Sequence, residues 1–477
     1  MEPQKRWWKE AGVATPLIHY CQPLGTHCVI VLDADIVKDI LFARYGTNPQ
    51  YLKKLRVLIP LVGKGLVTLE GEDWQRHRRI IHPSFQPKFV KESLDAVVPR
   101  TVDRFITSWK KAEGREIDVG THLSNLTLDI IGKVAFAHDF HALESVEKWS
   151  REDNGREDVH LAPVSDKLIT AMSAMFKNSP KRILLAIMNL SVLDLATSRT
   201  RKLMDEAVQE VIDAARAKVQ QKVLRQADGT SNNMTQDPLS LLQRLFDAKD
   251  TDPARQSRKG LNNSELRDEI KTFILAGHET TSTWCYWAVF ALCKYPDVQE
   301  KLYQDIKKHT CADDSETNEG NLDISVRMIE KMTYLDAFMK EVLRLFPPAG
   351  MIVRNTVEEM TFNGAKIPAR TRLLIPIHLL HRHPLYWKDP ESFEPERWLQ
   401  DDHPASHRYG YLPFSDGPRN CIGSYFAEME AKLIMAPLIR EFLFQLAPTL
   451  LGTHFKFTTF ITMKSKPDLR VCVRCRK

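Results

Sequence analysis

Phe414-Ser415-Asp416-Gly417-Pro418-Arg419-Asn420-Cys421-Ile422-Gly423 sets one cysteine between a Gly-Pro turn and an amphipathic run. From Gly423 onward Phe426, Met429, Leu433 and Ala436 recur at helical spacing, which predicts a helix starting just after Cys421. Backbone N–H groups at a helix N-terminus lack intrahelical partners and the dipole end is positive, so both favour a thiolate over a thiol. Arg419 adds positive charge two residues before the sulfur, and Phe414 supplies a ring that can shield it from water. An anionic sulfur held this way is a ligand for iron. The bland alternative is a buried structural cysteine ahead of a helix.

Length alone, 477 residues, suggests about three domains. No internal repeat and no long Pro/Gly/Ser linker divides the chain, however, and helical periodicity runs through most of it. One large helix-rich domain over residues 1–477 is therefore expected. Hydrophobic residues make up 43%, ordinary for a globular chain with a substantial core. The net charge of +6 is mild and dispersed, which gives no basis for a nucleic-acid partner.

The eight cysteines follow no repeated spacing, as suits a reducing compartment. Cys472 and Cys475 lie in a run that alternates like a strand, so their thiols should face opposite ways. No window approaches the ~18 apolar residues of a membrane span, and the first residues do not open a signal peptide. The chain reads as soluble or peripheral. Trp7 and Trp8, among Lys5, Arg6 and Lys9, begin either a helix that touches a membrane surface or an ordinary amphipathic helix.

Other segments carry patterns of their own. Asn262 with Glu265 forms a capping box, and apolar periodicity then continues to about Lys294. Such a helix spans ~45 Å, enough to cross a domain. Its middle, Ala276-Gly277-His278-Glu279-Thr280-Thr281, should be weak, since a mid-helix glycine costs ~1 kcal/mol and threonine hydroxyls compete for backbone carbonyls. Read alone, it is either a kinked core helix or a turn loosened for function. Trp74 and Arg78 share a helix face at i,i+4, and Glu341 and Arg344 do so at i,i+3 ahead of Pro347-Pro348. Phe393-Glu394-Pro395-Glu396-Arg397-Trp398 follows. Strands are expected at Cys28–Leu32, Met351–Arg354 and Arg372–Pro376, with a helix from Ala34 to Arg44 capped by Asp33.

Taken with these segments, F-x-x-G-x-R-x-C-x-G resembles the haem-ligand loop of the cytochrome P-450 superfamily, the haem-thiolate monooxygenases. Trp74 and Arg78 are similar to its W-x-x-x-R, Ala276–Thr281 to its A-G-x-E-T-T, and Glu341 with Arg344 to its E-x-x-R. The resemblance covers nearly the whole chain. It implies a mainly α fold with a smaller β lobe (α+β), enclosing haem b (iron protoporphyrin IX) with Cys421 as the axial iron ligand.

Trp74, Arg78, Arg354 and Arg419 are implied as propionate-binding residues, with His381 a further candidate. Phe414 and Gly423 would contact the cofactor from the thiolate loop, and Ala276 and Gly277 from the distal helix. Thr280 and Glu279 would relay protons; His278, at the variable position, would not ligate. Glu341, Arg344 and Arg397 would form a buried triad locking the Cys421 loop.

The implied reaction inserts one atom of O2 into a lipophilic small molecule. The sequence carries neither a flavin nor a dinucleotide fingerprint, so electrons would come from NADPH through a separate flavoprotein reductase, with Arg76, Arg79 and Lys432 as docking charges. Two rivals stand beside this reading: a haem-thiolate isomerase or dehydratase that uses no O2, and a non-catalytic haem or lipid-binding protein. Membrane-bound members of the superfamily carry an N-terminal anchor. A form with one would sit on the cytosolic face of the endoplasmic reticulum, and a form without one in the cytoplasm.

Overall fold

The computed structural model describes residues 10–12, 14–22, 26–43, 49–53, 58–151, 195–227, 240–250, 260–310, 324–400, 402, 404–459 and 462–476. Trp7 and Trp8 lie outside the described residues, as do the acid-rich residues 311–323 and most of 226–236 and 250–262. By its internal contacts the chain forms two compact units. One combines Met1–Lys54, Glu113–Leu123 and Thr280–Lys477, and the other Leu55–Ala112 and Ser124–Glu279.

In chain order, strands β1 (Leu17–Gln22) and β2 (Thr26–Val31) precede helix α1 (Ala34–Phe42) and strand β3 (Tyr51–Leu52). Helices α2 (Gly71–Ile81) and α3 (Pro87–Lys111), strand β4 (Glu116–Asp118) and helix α4 (Val119–Phe136) follow. Next come α5 (Leu195–Ala227), the long α6 (Asn263–Lys294), α7 (Pro296–Thr310) and α8 (Thr333–Leu345). Strands β5 (Ile352–Thr356), β6 (Met360–Phe362), β7 (Ala365–Ile367) and β8 (Arg372–Ile375) lead to α9 (Ser424–Glu441). The chain closes through β9 (Phe442–Leu446), β10 (Lys456–Thr459), β11 (Met463–Lys466) and β12 (Arg470–Cys475).

The first unit holds a five-stranded sheet of order β1-β2-β8-β5-β3, antiparallel except for the parallel pair β2 and β8. β-branched Val29, Ile30 and Val31 are at most 1% exposed, as a strand covered on both faces requires. Asp33 caps α1 by accepting from Ile36 N at 2.9 Å, and the helix ends at Phe42, two residues before the expected stop. Its apolar stripe, Ile36, Val37, Ile40 and Leu41, packs with Val29, Val31, Leu373 and Ile375. A three-stranded sheet, β4-β12-β9, gathers residues distant in sequence. Cys472 and Cys475 both lie on β12 and are not joined in a disulfide.

The second unit is helical around Val98, Val102, Phe105 and Trp109, all at most 1% exposed. The capping box at the start of α6 is present in both directions: Glu265 N donates to Asn262 Oδ1 at 3.0 Å, and Asn262 N to Glu265 Oε2 at 2.8 Å. α6 runs as one helix of 32 residues through the Ala276–Thr281 segment. Thr127 Oγ1 donates to the His278 carbonyl at 3.1 Å and so braces this turn from α4. Ile131 approaches so closely that a Cβ on Gly277 would stand 3.0 Å from its Cδ1. Glycine serves close helix packing here, which offsets its cost in helix propensity.

Candidate active site

Helix α9 begins at Ser424 with Gly423 as N-cap, so Cys421 stands two residues ahead of the cap. The loop is closed by its own backbone. Cys421 N donates to Phe414 O at 2.9 Å and Asn420 N to Gly417 O at 3.1 Å, while Asp416 Oδ1 accepts from Gly417 N at 2.7 Å. Gly417 has φ +73°, and a Cβ there would lie 2.3 Å from Leu41 O, so only glycine fits. Phe414 meets the Trp284 ring edge-on at 6.1 Å, and that indole donates to Met339 O at 3.1 Å. The result is an exposed Cys421 on a clamped loop.

Arg354 and Arg419 of this unit are buried, at 2% and 5% exposure. Arg354 Nη1 donates to Val353 O at 2.9 Å. Arg419 is not isolated, yet its Nε and Nη1 reach no acceptor among the described residues. Buried cations call for negative charge, and a porphyrin with two carboxylates supplies it. This donor set, with a cysteine sulfur nearby in the chain, fits haem.

The region behind the loop is held by Glu341, which is fully buried and accepts five hydrogen bonds. Arg344 Nε and Nη2 donate at 2.9 and 2.8 Å, and Arg397 Nε at 3.1 Å. Glu394 N and Trp398 Nε1 complete the set at 2.8 and 2.9 Å. The structure thus brings Glu341, Arg344 and Arg397 together. Trp398 was not singled out in the sequence, although it adjoins Arg397. Arg344 reaches on to the carbonyls of His381, Pro390 and Ser392 at 3.0, 2.6 and 2.6 Å.

His381 is not a propionate residue, because both its nitrogens are used inside this network. Nδ1 donates to Leu343 O and Arg344 O at 3.3 and 3.2 Å, and Nε2 accepts from Leu412 N at 2.8 Å. Burial drives its pKa down to about 3, so it is a neutral strut between α8 and the approach to Phe414.

Along α6, Ala276 is exposed and Gly277 to Thr280 are half-buried, although Phe273–Leu275 on one side and Thr281–Phe290 on the other are buried. An accessible window in the middle of a core helix is where a bound molecule can be met. Glu279 and Thr280 lie in it. His278 turns to its own helix, with Nδ1 donating to Ile274 O at 2.6 Å. On α2, in the second unit, Trp74 is 6% exposed.

The three docking charges are committed elsewhere. Arg76 pairs with Glu265, Arg79 with Asp250 at 2.8 Å, and Lys432 with Asp336. Each of the three thus has an acidic partner far along the chain.

Sequence reading also missed Glu430. It falls on the apolar face of α9, four residues after Phe426, and that spacing was the available signal. The residue is fully buried, as is Cys285 on α6, and Thr281 is 1% exposed. Among the described residues neither Glu430 oxygen nor Thr281 Oγ1 completes a hydrogen bond. Burial pushes the carboxyl up to about 8, with the nearby Thr281 hydroxyl only partly opposing. Burial, then Glu430, raises the Cys285 thiol far above its ordinary range.

A carboxyl raised in the fold keeps its proton where the unfolded chain has lost it. The stability it contributes is full below its ordinary 4.5 and is lost as pH rises to about 8. Relative to wild type, Glu430→Gln should therefore gain a few degrees in thermal midpoint at pH 8 over its position at pH 5. A midpoint difference that does not vary with pH would show that Glu430 does not titrate in this way.

Residues 17–471, from β1 into β12, match the sequence model of the family Cytochrome P450. The chain is 30% identical over 422 residues to cytochrome P450 4Z1 of Homo sapiens, covering 88% of this chain and 76% of that one. It is 29% identical over 462 residues to protein LUTEIN DEFICIENT 5, chloroplastic, of Arabidopsis thaliana, covering 94% and 70%. The crystal structure of the cytochrome P450DA haem domain resembles it with a TM-score of 0.75 over 97% of this chain and 89% of that chain. Identity there is 21%, so this likeness bears on the fold alone. The mainly α architecture with small sheets and the match across nearly all of the sequence agree: the chain belongs to the cytochrome P450 family.

Proposed function

We propose that Cys421 is the thiolate ligand of this haem-dependent monooxygenase, and that its substrate is a lipophilic small molecule. The observation that carries the assignment is the loop itself, which exposes the Cys421 side chain while its backbone N–H and Gly417 fix the turn. Bound haem supplies oxygen activation, and a thiolate on its iron favours O–O cleavage. Arg354 and Arg419 would hold the propionates, the role that the family resemblance also gives to Trp74 and Arg78. Phe414 and Gly423 would contact the cofactor beside the sulfur, and Ala276 and Gly277 would contact it from α6.

Glu279 and Thr280 occupy the accessible window of α6, where a carboxylate and a hydroxyl would hold and relay a proton at Thr280 Oγ1. Electrons come from NADPH through a flavoprotein reductase. Among the described residues no helix is long and apolar enough to cross a membrane. The proposed place at the cytosolic face of the endoplasmic reticulum belongs to a form with an anchor and rests on family resemblance.

Thr280→Ala tests the proton assignment. Haem content should stay unchanged, because no ligand is removed, and alanine favours the helix more than threonine. Product formed per reducing equivalent should fall about tenfold or more, with the missing oxygen recovered as peroxide. A substrate found by its shift of the haem absorption band makes the measurement possible. An unchanged ratio of product to reductant would leave Thr280 as a packing residue.

A further inference from the structure

Three side chains able to ligate a metal meet on the β1–β2 hairpin, apart from every residue used above. In the antiparallel register Cys21 lies opposite His27 and His19 opposite Val29, so His19, Cys21 and His27 share one face of the ribbon. Farther along that face Leu17, Val29 and Val31 pack into the cluster with α1. On the other face Ile18 and Tyr20 join Ile30 and Leu32. A slip of one residue would turn both apolar sets to the wrong sides. Burial of the hairpin's inner part therefore fixes the register at its outer end.

There all three side chains are exposed, and their ligand atoms lie within 4.8 Å of one another. His19 Nε2 is 3.0 Å from His27 Nδ1, and Cys21 Sγ is 3.7 Å from the same nitrogen. A tetrahedral zinc ion with bonds of ~2.0 Å to nitrogen and ~2.3 Å to sulfur needs ligand separations of ~3.3 and ~3.6 Å. The observed pairs differ from these by a few tenths of an ångström, within reach of small side-chain rotations. An N–H···N bond between the two imidazoles, whose rings stack at 5.2 Å, explains their approach to each other. It does not explain why the sulfur converges on the same nitrogen.

We propose that His19, Cys21 and His27 bind one divalent cation of borderline softness, zinc in particular, with water at the fourth position. Two imidazoles and one thiolate suit such a cation and disfavour magnesium and calcium, which take oxygen ligands. Binding releases the Cys21 proton to solvent and cross-links β1 to β2 at the edge of the five-stranded sheet.

The test is a zinc titration of the purified holoenzyme after removal of adventitious metal by a chelator. Bound zinc is counted against haem and its shell read by zinc-edge X-ray absorption. One zinc per chain is expected, with one sulfur in its shell that disappears in Cys21→Ser. His27→Ala should weaken binding at least about tenfold with haem content unchanged, and His19→Gln provides a second variant of the same kind. The thermal midpoint of the metal-free variants should match wild type, since the side chains are exposed. Zinc taken up equally by wild type and variants, a shell without sulfur, or no uptake at all would each overturn the site.

Discussion

Glu341→Ala should leave almost no folded, haem-loaded protein. Its carboxylate answers five donors, among them the guanidinium groups of Arg344 and Arg397, in a site with no exposure of Glu341 or Arg344. Removing it strands two buried cations and the Trp398 indole N–H together. Loss of one partner from a buried ion pair costs ~3–5 kcal/mol, which is a large share of a typical net stability of ~5–15 kcal/mol.

Damage would not stay local. Arg344 also ties down the carbonyls of His381, Pro390 and Ser392, and His381 Nε2 in turn holds Leu412 N, two residues before Phe414. Glu341→Gln keeps the shape and one acceptor oxygen, and should lose less. Soluble yield, the ratio of haem to protein and the thermal midpoint measure this. A normal midpoint in Glu341→Ala would reduce the network to the ~0–1 kcal/mol of an exposed pair such as Lys202 with Glu206.

What the sequence made legible was local. The Asn262–Glu265 box, the Asp33 cap and the turn at Gly417 depend on residues within a few positions, and the structure has all three. The Glu341–Arg344 spacing was legible too. Its burial was expected from the family resemblance alone and not from the spacing, because Trp398 and the carbonyls that complete it come from a segment some fifty residues on. Charge was the poorest guide. Arg76, Arg79 and Lys432 look exposed in a list of neighbours, but their acidic partners stand 189, 171 and 96 residues away.

Glu430 was hidden for the opposite reason. A helical face defined by Phe426, Met429 and Leu433 was treated as apolar throughout, although Glu430 occupies it. The turn at Ala276–Thr281 holds because Thr127 and Ile131 of another helix support it, and no local propensity records that. The cluster on the hairpin needed the register of β1 on β2 before Cys21 could be set against His27.

Cys421→Ser should abolish both turnover and the thiolate signature in the reduced, carbon-monoxide-bound spectrum, with the fold left intact. The chain supplies the reason for that separation. Cys421 is exposed and its loop is closed through backbone groups, so a serine can occupy the same turn with the bond to Phe414 O retained. What serine lacks is a soft sulfur donor, since its hydroxyl stays protonated at neutral pH and is a poor ligand for iron. Far-ultraviolet dichroism and the haem-free thermal midpoint should match wild type, while product formation falls to background. Cys285 and Cys293 on α6 give no ready substitute, because burial raises both thiols and holds them protonated. A thiolate spectrum that survives in Cys421→Ser would therefore require the iron ligand to lie elsewhere in the chain, and the role of the Phe414–Gly423 loop would have to be reassigned.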